Sequence, residues 1–68
     1  MIERHLQEAE QRIADGRELI SQQRLLIAEL EVDGHDTAYG LALLRTYEEI
    51  QEMLEADRNR LRQKLDGL

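Results

Sequence analysis

Counting from Ile2, residues that are apolar or small except for Gln23 recur at Leu6, Ala9, Ile13, Gly16, Ile20, Gln23, Ile27 and Leu30, an unbroken alternation of four and three. A side chain every 3.5 residues is the period of a helix that buries one narrow seam against another helix, so the spacing predicts a first helix from about Glu3 to Asp33. The period stops at Asp33-Gly34-His35-Asp36-Thr37, and a second apolar period then begins. Gly34 suits the left-handed residue that closes a helix, and Asp36 or Thr37 can cap the next one through a side-chain oxygen. A connection this short makes the helices antiparallel neighbours. The expected fold is therefore all-α, a two-helix hairpin over about 3–33 and 37–66, forming one domain over 1–68.

In the second helix the apolar stripe reads Leu43, Tyr47, Ile50, Leu54, Arg58, Leu61 and Leu65, in which two successive spacings of four make a stutter. Folding at residue 35 sets position i opposite 70 − i, which pairs Ile27 with Leu43, Ile20 with Ile50, Gly16 with Leu54 and Gln23 with Tyr47. The same register sets Arg24 near Glu48 and Glu49, Arg17 near Glu52 and Glu55, and Arg58, Arg60 and Arg62 near Glu8 and Glu10. Each helix of about 30 residues spans roughly 45 Å.

Composition agrees with helix packing and excludes several alternatives. The 68 residues include no Pro, Phe, Trp or Cys. Without Pro neither helix is forced to break, and without Cys there is no disulfide, thiolate metal site or thiol nucleophile. No stretch reaches the roughly 18 apolar residues of a membrane span, and the N-terminus lacks the apolar core of a secretory signal, so a cytoplasmic protein without a membrane is expected. The net charge of −6 disfavours nucleic acid and anionic lipid as partners. Residues 57–68 nonetheless carry four basic and two acidic side chains, against four and eight in residues 1–33. Cations there oppose the negative end of the helix dipole and face an acidic first helix; an anion or RNA contact through Arg58, Arg60, Arg62 and Lys64 is the sharper alternative.

A hairpin alone leaves both flanks of its seam wet. Leu19, Leu25, Leu26, Leu41, Leu44 and Met53 all fall in the half nearer the turn, and together they exceed the apolar patch that a monomer usually tolerates. A homodimer forming a four-helix bundle is the simplest closure, with a helix of an unidentified protein partner as the other. The expected interface is Ile13, Leu19, Ile20, Leu26, Ile27, Leu30, Leu41, Leu44 and Met53.

Chemistry is not written in the same way. His5 and Glu8 reverse the order of the Glu-x-x-His ligand pair of carboxylate bundles, and their neighbours on the seam are Ile and Leu. His35 and Asp36, with Glu31 one turn earlier, suit capping. Glu48, Glu49, Glu52 and Glu55 form a solvated face, since a rod offers no cleft to separate a catalytic pair. Ser21 has no evident base, and the four glycines are dispersed. No enzyme activity, metal or cofactor is expected.

The turn Asp33-Gly34-His35-Asp36-Thr37-Ala38, preceded by Gln23-Arg24-Leu25-Leu26-Ile27-Ala28-Glu29-Leu30 and followed by Leu43-Leu44-Arg45-Thr46-Tyr47-Glu48-Glu49, resembles that of a group of short uncharacterised bacterial helical-hairpin proteins with a Gly-His-Asp-Thr turn. The likeness runs from about Arg12 to Arg62 and implies that the turn is more than a connector. The architecture also resembles, as a fold only, the Rop protein, an acidic hairpin that dimerises and binds paired RNA loops. That likeness implies a regulator of RNA as the alternative to a module that self-associates and binds or modulates another protein.

Overall fold

The computed structural model describes residues 2–67. Two helices, α1 (Ile2–Val32) and α2 (Ala38–Asp66), form an antiparallel hairpin 54 Å long and 13–14 Å across. Both helices run unbroken, as a chain without proline permits.

The turn closes through a Schellman motif. The His35 N–H donates to the Leu30 carbonyl at 2.9 Å and the Gly34 N–H to the Glu31 carbonyl at 3.1 Å, satisfying two of the carbonyls that a helix end leaves open. Gly34 carries the left-handed conformation this requires, at φ +76°. On the far side the Asp36 carboxylate accepts from the Ala38 N–H at 2.9 Å, whereas the Thr37 side chain makes no capping bond. Of the two capping residues the sequence offers, Asp36 does the work.

The first seam lies where the spacing puts it. Ala9, Ile13, Ile20 and Ile27 are buried, and Ile2, Leu6, Gly16, Gln23 and Leu30 are half-buried between them. The second seam differs from the expected stripe. Gly40 and Gln51 are its buried residues, while Ile50 is 49% exposed. Starting from Thr37 a run of buried and half-buried residues, Gly40, Leu44, Tyr47, Gln51, Leu54, Arg58, Leu61 and Leu65, alternates three and four throughout, with Leu43, Glu48 and Glu55 half-buried along its edges. There is no stutter; it arose from seating Leu43 and Ile50 where Leu44 and Gln51 sit.

The register shifts accordingly. Position i lies opposite 67 − i, with Gly16 against Gln51 and Ile27 against Gly40. Two notches enforce it. Gln51 fills the space beside Gly16 and donates its amide to the Ile13 carbonyl at 2.9 Å. Gln23, half-buried on α1, donates to the Gly40 carbonyl at 2.9 Å instead of meeting Tyr47. Each glycine lets the other helix approach, and each glutamine spends its buried amide on a backbone oxygen across the seam. A Cβ on Gly40 would lie 3.1 Å from Ile27 Cγ1, tight enough that the residue is there for space.

Candidate functional site

A heptad seam has two flanks, formed by the residues just before and just after the seam positions. Here they differ completely. On one flank Arg24 pairs with Glu48 at 3.3 Å, and Glu10 accepts from both Arg58 at 3.4 Å and Arg62 at 3.1 Å. The Arg58 side chain is only 16% exposed, so its methylene stem serves as seam packing while its head reaches Glu10. Ion pairs line this flank, with Leu41 49% exposed among them.

The other flank is apolar over half its length. A groove of about 310 Å³ brings Leu19 and Ile50 together above Gly16, Tyr47 and Leu54. Leu26 and Leu43, one heptad nearer the turn, continue the strip. Leu19, Leu26 and Ile50 are 46–49% exposed, and Met53, beside Ile50, reaches 67%. Toward the chain ends the same flank turns polar, in a groove of about 550 Å³ lined by His5, Arg12, Asp57, Arg60 and Lys64, among others. Arg60 there holds Asp57 of its own helix.

The residues expected at an interface thus part company. Ile13, Ile20 and Ile27 are spent inside the hairpin, as are, in part, Leu30 and Leu44. Leu19, Leu26 and Met53 face outward on the apolar flank. Leu41, seven residues before Glu48, belongs with the charge-paired flank. Ile50 and Leu43 join the strip although the sequence placed them in the seam. Continuing the three-four alternation from Gly40, instead of starting at Leu43, would have found them.

The basic segment is divided too. Arg58 and Arg62 engage Glu10, Arg60 engages Asp57, and Lys64 lines the polar groove. Arg24 meets Glu48 as the charge pattern suggested. His35 and Asp36 sit exposed in the turn. Among the described residues no group of three or more His, Asp or Glu side chains gathers to hold a metal ion, and no helix is long and apolar enough to cross a membrane.

Fold and flank together define a two-helix hairpin with one ion-paired side and one open apolar side. Compared with known proteins, the chain matches no family model, no curated protein and no solved structure.

Proposed function

We propose that this chain is a non-enzymatic structural module that self-associates by helix packing and in that form binds or modulates another protein. The open flank carries the reading: Leu19, Leu26, Leu43, Ile50 and Met53 form one continuous apolar strip beside a seam with only four buried apolar side chains among the described residues. A core that small rarely stabilises a chain of 68 residues by itself, and covering the strip would enlarge it along half the rod. The alternative, RNA binding through the basic end of α2, gains nothing from the arginines, since Arg58, Arg60 and Arg62 each already hold a carboxylate.

Sedimentation equilibrium over a wide concentration range tests the reading. A dimer that dissociates on dilution is expected, and Leu19→Gln with Ile50→Gln should weaken it at least tenfold. A monomer throughout would end the self-association half of the proposal. Steeply salt-dependent binding of structured RNA would favour the alternative instead.

A further inference from the structure

We infer that the apolar strip receives a second copy of this chain in the antiparallel sense, the turn of each hairpin lying about three-quarters of the way along the other, near its Arg12 and Asp57. The inference rests on the self-association proposed above and adds its geometry. The strip consists of two rungs seven residues apart, Leu19 with Ile50 and Leu26 with Leu43. A two-fold axis crossing the rod midway between the rungs exchanges them. Leu19 of one copy then meets Leu26 of the other, and Ile50 meets Leu43, so each of the four rung residues finds an apolar partner. A two-fold axis along the rod would also stack rung on rung, with the hairpins parallel. The rungs alone do not choose.

The charges beyond the rungs do. Seven residues past Leu26 is Asp33, seven before Leu43 is Asp36, and seven before Leu19 is Arg12. The last turn of α1 holds no basic residue, so Asp33 adds its charge to the negative end of the helix dipole. In a parallel pair Asp33 and Asp36 of one copy face Asp36 and Asp33 of the other, four carboxylates together, of which the two of Asp33 stand at helix C-termini. In the antiparallel pair they lie level with Arg12 and with Asp57, whose charge Arg60 already meets. That group carries a surplus positive charge where the turn is negative. Complementarity of this kind selects orientation more than it adds affinity.

The surface available fits a partner of this size. The chain exposes 5445 Å². A compact monomer of 8.0 kDa would expose about 4,450 Å². The surplus, of order 1,000 Å², is comparable with the roughly 800 Å² that each partner contributes to a standard interface.

The chain has no cysteine, so His35→Cys in the exposed turn gives a single site for a nitroxide label. His35 lies about 12 residues beyond the axis, which puts the two labels of an antiparallel dimer about 36 Å apart along the rod. Electron–electron dipolar spectroscopy on the full chain is expected to show that long distance. A distance below about 25 Å, from turns side by side, would overturn the antiparallel geometry and leave self-association standing. No intermolecular distance at any concentration would overturn both. As a check independent of the label, Arg12→Asp should weaken association severalfold and Asp33→Arg added to it should restore it. Failure of that rescue while the Arg12→Asp chain remains helical counts against the antiparallel pairing, because a parallel dimer keeps positions 12 and 33 apart.

Discussion

At Gly16 two preferences of the same residue oppose each other. Alanine there would improve helix propensity by about 1 kcal/mol. Its Cβ would land on the amide of Gln51, which is buried and bonded to the Ile13 carbonyl at 2.9 Å. Displacing a buried amide from its partner costs about 1–3 kcal/mol. Gly16→Ala is therefore expected to lower stability by about 1 kcal/mol, while the same change in a Gln51→Ala chain raises it by about 1 kcal/mol. Urea unfolding of the four chains at one protein concentration reads the coupling directly; independent effects would mean that the notch does not hold the register. Gly34 poses no such conflict. Its φ of +76° is strained for any residue with a Cβ, and nothing lies within 4 Å of where that Cβ would be. Gly34→Ala should cost about 1–2 kcal/mol through the backbone alone. Thermal denaturation would show it as a fall of about 4–8 °C per kcal/mol, with Gly34→Asn falling less. The turn was readable residue by residue because a left-handed glycine leaves a local signature. The notches were not, because a glycine and a glutamine acquire meaning there only from what faces them.

At the scale of the elements, α1 and α2 differ in how plainly they declare their faces. In α1 isoleucine recurs at heptad spacing, Ile13, Ile20 and Ile27, so counting the spacing finds the buried face although Leu19 and Leu26 stand beside two of them. In α2 Ile50 and Gln51 are neighbours, and hydropathy assigns the seam to the wrong one. One helical step is about 100°, so that choice turned the expected face of α2, and the register moved by three residues because the pairing centres between Asp33 and Gly34 and not on residue 35. The charged flank answers to the true register. Glu10 gathers Arg58 and Arg62, one from a mostly buried side chain and one from an exposed one. Glu10→Gln is accordingly expected to cost about 1 kcal/mol, and Arg24→Gln, which breaks a single exposed pair, only a few tenths. Repeating the unfolding curves in molar salt should shrink both differences, since exposed pairs are screened. Arg58→Met should cost less than Arg58→Ala, because methionine keeps the apolar stem that packs in the seam.

For the whole molecule the question is what completes a rod of two helices. Under the self-association proposed above, the melting temperature of the native chain should rise with protein concentration. Leu19→Gln with Ile50→Gln should remove that dependence, and scanning calorimetry at two concentrations measures it. The residues of the strip were half legible. Leu19, Leu26 and Met53 stand out as surplus apolar residues, but Ile50 and Leu43 could be assigned to it only once the seam of α2 was known. Sequence by itself determined the hairpin, the length of each helix, the turn at Gly34 and the buried face of α1, because helical period, capping and left-handed glycine are local properties written in consecutive residues. Only the tertiary structure decided the register, the burial of Gln51 over Ile50 and the division between an ion-paired and an apolar flank. Those depend on which atoms face each other across the seam, and there two glycines and two amides outweighed the hydropathy of a single isoleucine.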